Sequence, residues 1–231
     1  MCGRYTLDIT LELLTGIFGA TEIPLGMPQP AARHNIAPTQ PVLVVRAGAR
    51  GGARQLAHVV WGLIPPWAPD PGVGARMINA RAETAAEKPS FRNALRRRRC
   101  LVPATGFYEW RKTGGGAKQP FLARMRGGAP FAMAGIWEMW RGPGDSELES
   151  CAILTTGANA LMRPVHDRMP VILRPEDFAL WLDPLVDDTR SVQGLLRPAD
   201  PEAMELFAVS TLVNNPRNDS PECVRPLAED A

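Results

Sequence analysis

The sequence predicts an α+β fold: a curved, mostly antiparallel sheet or open β-barrel core with flanking helices. Three observations predict it. Short runs of β-branched and aromatic residues recur along the chain between glycine- and proline-rich turns. Strands and helices are mixed without the regular alternation that builds a parallel sheet. Neither G-x-x-x-x-G-K-[ST] nor G-x-G-x-x-G occurs, so nucleotide-cofactor folds have no support.

The elements follow in order. Asp8 is read as the cap of a helix whose Leu11, Leu14 and Phe18 share one face. The stretch from Pro24 to Pro41 holds five prolines and is read as irregular chain. VLVVR (42–46) and QLAHVVW (55–61) are strands around the turn GARGGA. Gly62 to Gly74, with Trp67 inside it, is rich in Pro and Gly and too apolar for a routine surface connection. Ser90 to Arg99 is a short, strongly basic helix or turn. A strand-rich middle follows: CLVPATGFYEW, FLARM, FAMAGIWEMW and ESCAILTT. Residues 157–163 read as a short helix and MPVIL (169–173) as a strand. PEDFALWL (175–182) opens with Pro and two acids, a strong helix N-terminus, and LFAVS (206–210) is a late strand.

The chain has 231 residues, 45% hydrophobic and 22% charged, and is read as one domain over 1–231. No run reaches the roughly 18 apolar residues of a membrane span. MCGRYTLDIT lacks the basic start and apolar run of a signal peptide, so a cytoplasmic location is expected. The net charge of +2 hides an asymmetry: residues 1–126 carry 18 Lys+Arg against 7 Asp+Glu, and residues 127–231 carry 8 against 17. A basic half points to a polyanion partner, unless the halves interleave in space and the field cancels.

Four cysteines, Cys2, Cys100, Cys151 and Cys223, are spread without a C-x-x-C pair, which argues against a zinc cluster or a disulfide framework. No metal and no cofactor is expected. Cys100 and Cys151 sit in apolar runs and read as packing thiols. Cys2 is different. Removal of Met1 would leave an amine and a thiol on one residue, with ordinary pKa values of roughly 8 and about 8.5. The amine condenses with an aldehyde to an imine, and the thiol then closes a five-membered thiazolidine in an intramolecular step. No internal cysteine can do this. The competing reading is a cysteine that stays unprocessed or inert.

MCGRY, HNIAPTQ (34–40), VVWGLIPPW (59–67), INARAET (78–84), RCLVPATGFYEW (99–110), KQPF (118–121) and HDRMPVIL (166–173) occur in order along most of the chain. In these segments the sequence resembles the SRAP (SOS response-associated peptidase) family. The resemblance implies the SRAP fold, a monomer, and a protein of the DNA-damage response. It implies a stable thiazolidine crosslink between the N-terminal cysteine and an abasic site in single-stranded DNA, hence nucleoid association when bound. The family's nucleophile falls on Cys2.

Its acid falls on Glu109. A Glu alternating with aromatics on a strand would by itself read as a solvated outward face, yet flanking Phe107, Tyr108 and Trp110 could raise its pKa for proton shuttling. Its histidine falls on His166, suited to protonating the ring oxygen of the closed sugar, with Asp167 and Arg168 able to orient it. His58 reads as a strand residue and His34 is assigned no proton transfer. The family's asparagine falls on Asn79, whose amide can serve the sugar or the Cys2 region. Arg4 and Arg81 are implied DNA-backbone contacts, Arg81 sharing a face with Asn79 if that segment is extended. Trp67 falls on the loop that wedges beside the lesion and stacks on a base. Here Ala68 follows it where some relatives carry a second tryptophan, so the wedge is smaller. RNALRRRRC (92–100) either tracks phosphates or is a solvated helix end.

Three rival or subsidiary activities stand beside the crosslink. Cys2, Glu109 and His166 could form a cysteine peptidase, with removal of the chain's own Met1 as its one cleavage. The chain could be a non-covalent single-strand binder. The imine could also undergo β-elimination, giving weak lyase activity.

Overall fold

The computed structural model describes residues 2–48 and 52–227. Within them the strands are β1 (Tyr5–Leu7), β2 (Arg33–Ile36), β3 (Pro41–Ala47), β4 (Arg54–Trp61), β5 (Asn79–Arg81), β6 (Arg99–Ala104), β7 (Gly106–Lys112), β8 (Lys118–Met125), β9 (Phe131–Arg141), β10 (Glu147–Gly157), β11 (Arg168–Pro170), β12 (Ile172–Leu173) and β13 (Met204–Ala208). The α-helices are α1 (Leu11–Phe18), α2 (Pro89–Arg97), α3 (Phe178–Leu182) and α4 (Arg190–Gln193), with several 3-10 turns between elements.

The expected α+β, mostly antiparallel barrel architecture is present, and the barrel is closed. Strands run β10–β4–β3–β6–β9, and β9 pairs back onto β10. Every seam of this ring is antiparallel except β4–β10, which is parallel. Closure leaves the ring without a free edge. β5 and β11 add to β10, and β12 adds to β9. A second antiparallel sheet, β13–β8–β7–β1–β2, packs beside the ring.

Sequence and structure differ where local propensity was read without tertiary context. RCLVPATGFYEW is two strands in two sheets, not one. The chain leaves the ring at Thr105, whose N–H donates to the Thr6 carbonyl at 2.8 Å and whose hydroxyl bonds that of Thr6 at 2.9 Å. Gly106 then lets β7 close on β8: a Cβ there would lie 2.9 Å from Leu122 Cδ1. Helix α1 is capped by Thr10, whose Oγ1 accepts from Leu13 N at 3.3 Å, while Asp8 donates its own N–H to Thr105 Oγ1. The proline-rich stretch contains β2, which pairs with β1.

The helix expected over 157–163 is absent: Gly157 ends β10 and residues 160–165 form turns. Asn159 Oδ1 takes the Met162 N–H at 3.0 Å while its Nδ2 bonds Ala199 O at 2.9 Å, drawing backbone bonding into a side-chain-centred turn. MPVIL divides at Val171 into β11 and β12. β3 and β4 are as expected; most of the glycine-rich turn between them lies outside the described residues.

The two charge halves interleave. Arg46 pairs with Glu149 at 2.6 Å, Arg98 with Glu138 at 2.8 Å, Arg124 with Glu205 at 2.6 Å and Arg168 with Glu83 at 2.6 Å. The first three pairs cancel part of the first half's basic excess, and the fourth joins a second-half base to a first-half acid. Among the described residues, no helix is long and apolar enough to cross a membrane, and no cluster of three or more His, Cys, Asp or Glu could hold a metal ion.

Candidate functional site

Topology gathers residues far apart in sequence. β1 pairs with β7 at Tyr5–Phe107, which brings the segment leading into β1 alongside Glu109. β10 carries β5 through Ile153–Asn79 and β11 through Gly157–Arg168, so Asn79 and the turn holding His166 are both anchored on that strand.

Cys2 is fully buried. Its carbonyl accepts a 2.7 Å hydrogen bond from Asn79 Nδ2, and its Sγ lies 3.9 Å from Arg4 O. Burial pushes the thiol pKa well up, and the Glu109 charge pushes it further the same way, so the sulfur is held as a thiol. Asn79 Oδ1 is buried with no hydrogen-bond partner among the described residues, leaving an acceptor beside Cys2. As expected, β5 is extended and puts exposed Arg81 on the face of Asn79, with Ala80 buried on the other.

Glu109 is 3% exposed, not on a solvated face. Burial pushes its carboxyl up to about 7, with Asp167 acting in the same direction. His166 Nε2 stands 3.9 Å from Glu109 Oε2. The Nδ1 of His166 has two neighbours, the Arg168 backbone N–H at 2.9 Å and Asp167 Oδ1 at 3.0 Å. A backbone N–H can only donate, so Nδ1 is the acceptor and the neutral ring carries its proton on Nε2, facing Glu109. Asp167, with its side chain 88% exposed, is then a charge neighbour rather than a hydrogen-bond partner. Burial lowers the imidazole pKa, which favours that neutral form.

Arg168 orients His166, but through its backbone. Its guanidinium is engaged with both carboxylate oxygens of Glu83 at 2.6 and 2.8 Å and with Thr155 O at 2.6 Å. Arg4 is partly buried. Its Nη1 donates to Asn35 Oδ1 and to Val213 O, both at 2.7 Å, and its guanidinium lies 5.8 Å over the Trp110 ring. Arg4, Glu109, Trp110, Lys118, His166 and Asn214 line one open cleft of about 490 Å³.

Trp67 is 57% exposed on a loop fixed from beneath. Gly62, at φ 136°, passes Gly74 so closely that a Cβ on it would lie 2.6 Å from the Gly74 carbonyl oxygen. Ile64 N donates to Ser150 Oγ at 2.8 Å, and Trp140 Nε1 donates to Ala68 O at 2.7 Å. Ala68, the residue in place of a second tryptophan, is buried with Ile64 and Trp140.

The structure thus brings Cys2, Asn79, Glu109 and His166 together with Arg4, while Trp67 stands on its own loop and Arg81 at the end of β5. Sequence reasoning passed over Asn35. It is fully buried and ties Arg4 to residues 213–218 through 2.7–3.2 Å bonds to Val213, Asn215 and Asn218 carbonyls. Its place inside HNIAPTQ was the available signal. Trp110 and Asn214, joined by a 2.8 Å bond, also line the cleft, and Asn214 carries no local signature. Cys100, Cys151 and Cys223 are buried, and burial pushes the Cys151 thiol up to about 12. His58 is exposed on β4, and His34 is buried with its carbonyl accepting from Tyr108 OH at 2.7 Å.

Fold and site define a closed-barrel protein with a buried cysteine and glutamate and a partly exposed histidine gathered near its amino end. The SOS response associated peptidase (SRAP) profile matches residues 1–216, and the chain belongs to that family. It is 43% identical over 225 residues to the abasic site processing protein YoqW of Bacillus subtilis, covering 97% of this chain and 99% of that one. It is 31% identical over 231 residues to the abasic site processing protein YedK of Escherichia coli, covering 98% and 100%. A crystal structure of a Bacteroides thetaiotaomicron protein superposes with a TM-score of 0.85 at 26% identity, covering 98% of this chain and all of that one.

Proposed function

We propose that this chain processes abasic sites in single-stranded DNA by forming a covalent thiazolidine between Cys2 and the opened sugar. The observation that carries the proposal is the clamped Cys2, its carbonyl held by Asn79 and its thiol next to a carboxyl group poised at about pH 7. The similarity to abasic site processing proteins points the same way.

In this reading Met1 is removed first, by hydrolysis of its peptide bond. Neutral His166 donates an Nε2–H hydrogen bond to the sugar ring oxygen, while Glu109 supplies the proton that oxygen gains on opening and takes back the one the anomeric hydroxyl loses. The Cys2 amine attacks the aldehyde carbon, and loss of one water gives the imine. Glu109, able to give or take a proton near neutrality, serves both steps. The thiol then adds to the imine carbon, its proton passing to nitrogen, and the ring closes. A sulfur held protonated by burial orders these events, amine first and sulfur second. Arg4, Arg81 and Lys118 hold the strand's phosphates, and Trp67 stacks on a neighbouring base, contributing roughly 1–3 kcal/mol. The lesion has no base, so no base flipping is required. The protein acts as a monomer on cytoplasmic, nucleoid DNA.

Incubation with an abasic oligonucleotide should yield a band that survives denaturing electrophoresis and an intact mass equal to protein plus DNA minus one water. A Cys2→Ala variant that crosslinks as well as wild type ends this reading. The same Glu109 and His166 support a self-cleaving peptidase step at Met1. Intact mass of a Glu109→Ala variant retaining Met1 supports that step, and full removal of Met1 assigns it to a separate aminopeptidase. Lyase activity is confined to the imine, since ring closure removes the β-elimination path.

A further inference from the structure

We propose that the exposed face of α2 carries phosphates of the DNA strand on one flank of the lesion and not on the other. The inference rests on the abasic-site reading above. Lys88, Arg92 and Arg96 are all exposed and lie four residues apart, Lys88 as the residue capping α2. On an α-helix that spacing aligns them along one face at intervals of about 6 Å. Successive phosphates of an extended strand are spaced comparably. Asn93, Arg96, Arg97 and Arg98 line a groove of about 280 Å³ at the far end of this face.

Charge balance supports an outside partner. Lys88 and Arg92 make no ion pair among the described residues. Arg96 and Arg97 share the single carboxylate of Asp187 at 3.5 and 3.9 Å, all of it exposed and weak. Arg98 belongs elsewhere: it holds buried Glu138 at 2.8 Å and packs over the Trp137 ring. Basic residues in a last helical turn are explained by the helix dipole. Lys88 caps the N-terminus, where that dipole opposes it, and Arg92 lies near the middle of α2, beyond the first turn, so the dipole accounts for neither. Glu87 adjoins Lys88, so Arg92 and Arg96 are the informative positions.

The face is rigidly joined to the site. Asn79, which clamps Cys2, begins β5, and exposed Arg81 ends it. The turn to α2 is closed by Ala82 N to Thr155 O at 2.9 Å, Ala85 N to Arg81 O at 2.8 Å and Lys88 N to Thr84 O at 3.0 Å. The Glu83–Arg168 pair fastens the same turn beside His166. Arg81 and the α2 face therefore form one basic track leaving the site in a single direction.

The experiment compares two abasic single strands of equal length, one with the lesion near its 5′ end and one near its 3′ end. Binding is measured across a salt series with a tetrahydrofuran analogue at the lesion, which has no aldehyde, so that no covalent product forms. One strand should bind several-fold more tightly. Arg92→Ala/Arg96→Ala should abolish that difference and lower the salt slope for the preferred strand by about 1.4, at about 0.7 per lost single-strand contact. Arg92→Lys/Arg96→Lys should restore both, and circular dichroism of all variants should match. Equal binding of the two strands, or a preference untouched by the alanine pair, overturns the track. If wild-type protein crosslinks both strands while the preference is absent, the track alone is wrong. If wild type crosslinks neither, the abasic-site reading fails and the track with it.

Discussion

Glu109 has the most to say about pH. Its carboxyl is raised from 4.5 to about 7 by burial, so the folded state favours the protonated acid. The stability this contributes is fully present below about pH 4.5 and is lost as pH rises through about 7, up to about 3 kcal/mol. Glu109→Gln should flatten that dependence and melt higher than wild type at pH 8; thermal melts at pH 5 and pH 8 read this directly. The same variant should crosslink far more slowly, with no inflection of rate near pH 7. Asn79→Ala tests the other side of the cluster. Without the 2.7 Å bond to the Cys2 carbonyl the nucleophile drifts, and single-turnover crosslinking should slow by about 100-fold with the melting temperature little changed.

At the scale of elements, the loop carrying Trp67 is held by another tryptophan. Trp140→Phe keeps the ring but leaves the buried Ala68 carbonyl without its donor. It should cost about 1–3 kcal/mol in stability and weaken abasic-strand binding in the manner of Trp67→Ala. Parallel binding and melting curves check both halves of that expectation. This arrangement was hidden in the sequence, because Trp140 and Ala68 are far apart and neither belongs to a local pattern. The strands with alternating or continuous apolar runs, β3, β4, β8, β9 and β10, were legible because periodicity is local. β1, β2 and β5 have three or four residues each and exist through their partners, as does the break at Thr105. Cys2 was legible from its place next to Met1, whereas Asn79, Glu109 and His166 were legible only through family resemblance. Residue type alone would have put Glu109 in water.

For the whole molecule, the interleaving of basic and acidic halves decides how strongly DNA is felt. Arg46, Arg98 and Arg124 already have carboxylate partners from the second half. If the proposed contacts from Arg4, Arg81 and Lys118 form, with or without the α2 face, the slope of log K against log salt should be about −2 to −4 on single strands. Eleven uncancelled charges would give about −8. A fluorescence titration across a salt series separates the two, and the steeper value would mean that the internal pairs open on binding. The ring also sets folding demands. Its β4–β10 seam joins strands with 85 residues of chain between them, 62–146, so barrel closure waits on a costly long loop and folding is slow for the size.

All four cysteine thiols lie folded inside the protein. Peroxide and alkylating reagents consume thiolate at an accessible surface, and this chain offers them little of either. On the proposed reading, the Cys2 thiol should therefore outlast the oxidants that break sugars, remaining unspent until an aldehyde is delivered to it from the cleft.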